Sequence, residues 1–165
     1  MGETPAASKM AWPNNNVAQL MQGEAVSNGG WIAALSTVFP CPRYILAPEV
    51  RMQPLRLDFA VVDVIQQGAF LAFEGKGAGF NWDNLTAEVR DSCIAIRPQG
   101  FQGYTYGVGG NGPHCILVEW DGAQLRYLYR DNGGQLNYSE NLRTFHIVND
   151  QATITFILQQ IRAAH

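Results

Sequence analysis

The sequence LDFAVVDVIQQGAFLAFEGKG, residues 57–77, contains the pattern on which the predicted fold mainly depends. Two nearly continuous apolar runs, Phe59–Val62 and Ala69–Phe73, predict neighbouring strands that are covered on both faces. Charged residues stand at the ends of these strands, namely Asp58, Glu74 and Lys76. A buried charge costs several kcal/mol unless it is paired or binds a metal, so this pattern needs an explanation.

The length of the hairpin loop between the two runs determines which charged residues lie opposite each other. A three-residue loop at 66–68 would place Asp58 opposite Lys76, with Glu74 on the diagonal. Opposed residues lie roughly 5 Å apart and diagonal residues about 7–8 Å apart. A two-residue turn would instead move Asp58 to the other face of the sheet. The three-residue loop therefore predicts two carboxylates and an ammonium group on one face. The opposite face would then carry Phe59, Val61 and Phe73.

An Asp on one strand, a hairpin, and Glu-x-Lys at the end of the next strand resemble the PD-(D/E)XK nuclease superfamily, whose fold is restriction-endonuclease-like. The matching residues are Leu57-Asp58 and Glu74-Gly75-Lys76. Leu57 replaces the Pro of the motif, which leaves the metal-ligand position intact. The resemblance covers roughly residues 20–110. It implies a metal-dependent nuclease that hydrolyses phosphodiester bonds of DNA or RNA.

The resemblance also implies roles for individual residues. Asp58 and Glu74 would bind Mg²⁺ or Mn²⁺, with the Gly75 carbonyl as an additional ligand. Lys76 would orient or help deprotonate the attacking water and offset charge in the transition state. Hard oxygen ligands suit Mg²⁺, which usually takes only one or two carboxylates in such sites.

Many members of the superfamily place a further Glu on a helix before the first strand. Glu24 is the candidate here, and Glu49 is its rival because it lies just before the site in sequence. Gly29 and Gly30 disfavour one helix reaching back to Glu24, since glycine weakens helix interiors. The spacing predicts a separate helix at 31–38.

Two other classes of function, both without catalysis, remain open. The sequence alone therefore does not establish that the protein is an enzyme. The same fold can serve as a catalytically inactive nuclease-like domain that binds nucleic acid or protein. The three charged residues can also be surface groups of a small interaction domain. Metal binding separates the nuclease from the interaction domain, and cleavage separates it from the inactive module.

The length and composition of the chain indicate what kind of protein it is. The 165 residues, 47% hydrophobic and 15% charged, suit one ordinary globular domain. We expect residues 1–12 to be a disordered or artificially added tail and residues 13–165 to form a single nuclease-like domain.

No apolar run in the sequence approaches the roughly 20 residues that cross a bilayer. Because no signal peptide is apparent, we expect an intracellular protein, cytoplasmic or nuclear. Three cysteines without a Cys-x-x-Cys pair argue against disulfides or zinc.

The net charge of −3 argues against nucleic-acid binding, which usually leaves a basic footprint. A metal site is itself acidic, so this charge does not decide the question. A homodimer, or a fused or partner domain, would supply the basic surface.

The remaining elements complete an α/β fold. Asn81 predicts a helix start, and Trp82, Leu85, Val89, Cys93 and Ile96 form one apolar stripe that would pack on the sheet. The glycines between 107 and 112 predict a loop. Asp121-Gly122 predicts a hairpin, and Asp150 a final helix, with a strand at 153–155 as the alternative. The predicted architecture is a central mixed sheet of about four or more strands flanked by helices, with an added C-terminal hairpin and helix.

Other polar residues have simpler interpretations. Asp63 is predicted to be a strand-end surface acid on the face opposite Asp58. His114 and His146 are assigned structural roles, because no Ser or Cys nucleophile stands in a recognisable setting. Pairs of tyrosines at strand spacing are read as sheet packing. Arg126 and Arg130 flank one such pair, which leaves a minor alternative of a nucleic-acid face.

Overall fold

The computed structural model describes residues 11–48, 51–52 and 55–165. The chain begins with α1 (Asn15–Leu20) and α2 (Glu24–Val38). Asn14 caps α1 by accepting a hydrogen bond from the Val17 N–H. Trp12, at the end of the predicted tail, donates its indole N–H to the Ile147 carbonyl at 2.7 Å.

Strands and two further helices follow. In chain order the strands are β1 (Tyr44–Pro48), β2 (Arg51–Met52), β3 (Leu55–Arg56), β4 (Phe59–Asp63), β5 (Gly68–Lys76), β6 (Thr105–Asn111), β7 (His114–Trp120), β8 (Leu125–Arg130), β9 (Leu136–Ser139) and β10 (Phe145–His146). Helix α3 (Trp82–Ile96) lies between β5 and β6, and α4 (Gln151–Ala164) follows β10. Because α4 runs through residues 153–155, the alternative of a strand there is wrong.

The main sheet is mixed. Within the described part of the chain it has eight strands, in the order β1-β4-β5-β6-β7-β8-β9, with β10 paired to β7. β5 and β6 are parallel and α3 connects them, whereas the other neighbouring strands are antiparallel. The predicted α/β architecture is confirmed, including the hairpin of β7 and β8. β2 and β3 form a separate two-stranded ribbon.

Helices cover both faces of this sheet. On one face α2 and α4 enclose the larger core, which includes Phe59, Val61, Leu71 and Phe73. On the other face the stripe of α3 packs on the sheet, and Leu85, Val89 and Cys93 are fully buried. The prediction that this stripe faces the sheet is therefore confirmed. No helix among the described residues has the length and apolar character to span a membrane.

Near the charged residues, the β4–β5 register differs from the predicted one by two residues. Phe59 pairs with Phe73, so the ladder leads toward Asp58 beside Glu74 rather than Lys76. The connection is four residues long, and the Asp63 carboxylate accepts hydrogen bonds from the turn amides of residues 65 and 66. Next to the turn Val62 pairs with Ala69, a difference of three residues, and a β-bulge or similar irregularity between Val61 and Val62 reduces the difference to two for the rest of the ladder. A shift of two residues preserves which side chains share a face, so the predicted division into faces survives.

Asp63 is not a surface acid, and that prediction is wrong. Its carboxylate is buried and contacts Arg43 at 3.2 Å and His165 Nε2 at 2.8 Å. Burial raises the pKa of Asp63, but hydrogen bonds from His165, from the turn amides and from Arg43 outweigh this effect and lower the pKa to about 2. Asp63 therefore fixes the turn and the edge of the sheet.

Glycines occupy strand and helix interiors where the sequence predicts breaks. Residues 107–111 belong to β6 rather than to a loop, because helices pack closely on both sides of the strand. A Cβ at Gly107 would lie 2.5 Å from Val89 Cγ1, and one at Gly110 would lie 2.8 Å from Trp31 Cδ1. Helix α2 likewise continues through Gly30, where a Cβ would lie 2.5 Å from Met21 Sδ. These glycines permit close packing, so the predicted interruption before residue 31 is wrong.

Candidate metal centre

Asp58 lies in a bend immediately before β4. Its Oδ2 accepts a hydrogen bond from the Gly75 N–H at 2.8 Å. This bond crosses from the start of one strand to the end of the next, and it holds the Asp58 carboxylate beside the strand residue that precedes Gly75, which is Glu74.

Glu74 is the most perturbed carboxylate of the site. It is only 9% exposed, on the face that α3 covers, and Ser92 Oγ donates a hydrogen bond to its Oε1 at 2.9 Å. Burial raises the pKa of Glu74 to about 7, and the charges of Asp58 and Glu88 add to this effect. The Ser92 hydrogen bond and the Lys76 charge act in the opposite direction. Glu74 therefore changes charge near neutral pH.

Lys76 projects from the same face of β5, two residues beyond Glu74. Its Nζ lies 3.2 Å from Glu88 Oε2 and 5.2 Å from the centre of the Phe80 ring. Burial lowers the pKa of Lys76, but the hydrogen bond and charge of Glu88 and the charges of Glu24 and Glu74 outweigh burial and raise that pKa. Lys76 is therefore a cation held by α3 in the free protein.

The partners of Glu74 and Lys76 come from one helix. Glu88 and Ser92 lie one turn apart on α3 and contact Lys76 and Glu74, which lie two residues apart on β5. Sequence reasoning did not identify Glu88 or Ser92. Their spacing of four residues beside the apolar stripe of α3 is the signal that could have found them.

Glu24 is the first residue of α2 and is exposed. The start of α2 lies against the exit of β5, because the Ala78 N–H donates to the Gln22 carbonyl at 2.8 Å. Glu24 therefore lies close enough to influence the pKa of Lys76. However, the described residues contain no group of three or more His, Cys, Asp or Glu side chains placed to hold a metal ion. Glu24 thus does not join Asp58 and Glu74 in a three-acid cluster, and its rival Glu49 lies outside the described residues.

Asp58 and Glu74 fit a hard divalent cation by their chemistry. They are two carboxylates, the number that Mg²⁺ commonly takes. Burial raises the pKa of Glu74, and repulsion from Asp58 adds to that effect. A cation between them would reverse that repulsion and favour the ionised form of Glu74. The backbone N–H of Gly75 serves Asp58, while the role of the Gly75 carbonyl as a metal ligand stays a prediction.

Comparisons with known proteins do not identify a family for this chain. The chain matches no protein-family model and no curated protein sequence. Among solved structures it is similar to the type IIG restriction endonuclease BpuSI, with a TM-score of 0.45 and 15% sequence identity. The match covers 87% of this chain, and the chain spans 16% of the length of that endonuclease.

Proposed function

We propose that this protein is a Mg²⁺- or Mn²⁺-dependent nuclease that hydrolyses phosphodiester bonds of DNA or RNA at Asp58, Glu74 and Lys76. The observation that carries this proposal is the bond between Asp58 and the Gly75 amide. It places a second carboxylate beside Glu74, whose pKa is already raised to about 7. Such a strained acid pair in a protein at neutral pH favours a site built to receive a cation.

Each residue has a distinct task in this proposal. Asp58 and Glu74 would hold the divalent ion, which when bound would supply an activated water and Lewis-acid stabilisation. Glu74 must lose its proton to bind the ion. Lys76 would place positive charge beside the developing charge of the phosphorane-like transition state. Because Glu88 holds Lys76 in the free protein, the substrate phosphate would compete with Glu88 for that ammonium group.

The partner in this proposal is nucleic acid. The net charge of −3 means that a second copy of the chain, or a fused or partner domain, would provide much of the attraction for the phosphate backbone. We therefore expect weak binding by the isolated chain, with strong dependence on salt concentration.

The test is cleavage of labelled single- and double-stranded DNA and RNA with Mn²⁺, with Mg²⁺ and with EDTA. We expect wild type to cut at least one of these substrates only with metal. Asp58→Asn and Glu74→Gln should lose both cleavage and the rise in melting temperature that metal produces. Lys76→Ala should keep the metal-dependent rise while cleavage falls by orders of magnitude.

The matched control is Glu140→Gln, which removes an exposed acid just after β9 and should leave cleavage unchanged. If metal stabilises wild type but none of the four substrates is cut, the chain is a binding module rather than a nuclease. If metal neither stabilises the protein nor supports cleavage, Asp58, Glu74 and Lys76 are charged groups at strand ends and the proposal is wrong.

A further inference from the structure

A groove is lined in part by Phe80, the residue whose ring lies beside Lys76. It has a volume of about 490 Å³ and lies between the start of α2, the segment leading into α3 and the turn between β6 and β7. The residues that line it include Gln22, Phe80, Trp82, Asn111, His114 and Thr144. Its volume is within the range of sites that hold small organic groups, and a single nucleotide is smaller than this space.

Phe80 connects the groove to the candidate catalytic residues. This residue lines the groove, and its ring lies 5.2 Å from Lys76 Nζ. On the neighbouring strand Asn111 pairs with Lys76 in the β5–β6 ladder. A group bound in the groove would therefore lie next to the ammonium that we assign to the phosphate.

The wall of the groove is held rigidly by a buried amide. Asn111 is only 4% exposed. Its Oδ1 accepts a hydrogen bond from the Phe80 N–H at 3.1 Å, and its Nδ2 donates to the Phe80 carbonyl at 2.8 Å. These two bonds fix the backbone that carries the aromatic ring. A preformed wall reduces the entropy that is lost when a ligand binds.

The chemistry of the lining selects the kind of ligand. None of the described residues that line the groove is Lys, Arg, Asp or Glu. Partial burial of the ring, together with the neighbouring His146, lowers the pKa of His114, while Asp150 acts in the opposite direction. This shift favours the neutral imidazole. Phosphate groups favour cationic pockets, which this is not. Aromatic rings with amide and imidazole groups suit a neutral planar base that stacks and forms hydrogen bonds.

We infer that the groove holds one unpaired nucleobase of a single strand, next to the phosphodiester that the candidate metal centre would receive. An unpaired base is required because the faces and edges of a base in a duplex are occupied by its neighbours and its partner. The inference rests on the proposed function for the position of the phosphate. The stacking and the preference for unpaired bases follow from the groove itself.

The test measures binding without cleavage. A short labelled oligothymidylate, the same strand with abasic sites, and a duplex of equal length are titrated with the full chain in EDTA and low salt. Fluorescence anisotropy should show that the intact strand binds about tenfold more tightly than the abasic strand, and more tightly than the duplex. Phe80→Leu and His114→Ala should remove most of this preference without changing the affinity for the abasic strand.

The matched control is Tyr138→Leu, which removes an aromatic side chain that is 52% exposed on β9, outside the groove. It should leave the preference for the intact strand unchanged. Because His114 is exposed, its variant tests the groove even if Phe80→Leu fails to fold. Equal binding of the intact and abasic strands, no binding of either, or loss of the preference only in Tyr138→Leu would overturn the inference.

Cleavage distinguishes this inference from the proposed function. If the protein binds the intact strand more tightly than the abasic strand but cuts nothing with Mn²⁺, the inference about the groove stands and the proposed nuclease activity is wrong. If the protein binds the intact and abasic strands equally but cleaves with metal, the proposed nuclease activity stands and the inference about the groove is wrong.

Discussion

Ser92 and Glu74 form a buried hydrogen bond between α3 and β5. The Ser92 hydroxyl donates to Glu74 Oε1 at 2.9 Å, and its oxygen also lies 3.0 Å from the Glu88 carbonyl. One hydroxyl hydrogen thus has two acceptors. When Glu74 is ionised the hydroxyl donates to it, and when Glu74 is protonated the hydroxyl can accept from Glu74 and donate to Glu88 instead. This arrangement accommodates both charge states of the central carboxylate.

We predict that Ser92→Ala raises the pKa of Glu74 beyond about 7. The Ser92 hydrogen bond lowers the pKa of Glu74, so its removal leaves burial and the neighbouring acids less opposed. A hydrogen bond to a charged group contributes on the order of 1.5 kcal/mol, which corresponds to about one pKa unit. Carboxyl ¹³C NMR of the labelled side chain measures the shift.

Ser36→Ala is the control for this substitution, because Ser36 lies on α2 and donates to the Ile32 carbonyl four residues earlier. It should leave the titration of Glu74 unchanged. A Glu74 pKa that stays constant or falls in Ser92→Ala would show that the hydrogen bond does not control the charge of this carboxylate.

We predict that Glu74→Gln flattens the dependence of stability on pH. The pKa of folded Glu74 is about 7, whereas in the unfolded chain this carboxyl has its ordinary pKa of 4.5. Between these values the folded state binds more protons, so stability falls as pH rises. Above pH 7 the full cost is on the order of 3 kcal/mol, and Glu74→Gln removes it.

Urea denaturation between pH 4.5 and pH 8 checks this prediction. Relative to wild type, Glu74→Gln should gain stability progressively as pH rises, while Glu140→Gln should follow the wild-type curve. Parallel curves for wild type and Glu74→Gln would show that Glu74 is not strained in the folded protein.

We predict that Leu85→Ala destabilises the protein by about 2–5 kcal/mol, because Leu85 is fully buried between α3 and the sheet. Ile94→Ala on the same helix should cost less than about 1 kcal/mol, since Ile94 is 46% exposed. Chemical denaturation at one pH measures both. Equal costs for the two substitutions would contradict the packing of α3 described above.

The sequence predicts the faces of the central hairpin better than its register. Alternation along β4 and β5 is a local property, so the separation of Glu74 and Lys76 from Phe59 and Phe73 follows from spacing alone. The register depends on the turn, where the Asp63 carboxylate binds two amides, and on the irregularity between Val61 and Val62. Spacing reveals neither feature. An error of two residues left the faces unchanged, which is why this part of the site could be predicted.

The contribution of α3 to the site could not be predicted in the same way. The apolar stripe shows which side of the helix faces the sheet, but not the angle or height at which the helix crosses it. Those quantities decide that Glu88 meets Lys76 and that Ser92 meets Glu74. Close packing on both sides of β6 likewise depends on how α2 and α3 approach, so the glycines of that strand resemble a loop in sequence.

The most direct test of the account is a crystal structure of the protein soaked with Mn²⁺ at pH 8, where Glu74 is ionised. The account predicts one anomalous peak that lies about 2.0–2.2 Å from a carboxylate oxygen of Asp58 and of Glu74. The peak should be absent from crystals of Glu74→Gln soaked in the same way. A peak bound by other residues, or no peak between these two carboxylates in wild type, would contradict the central claim.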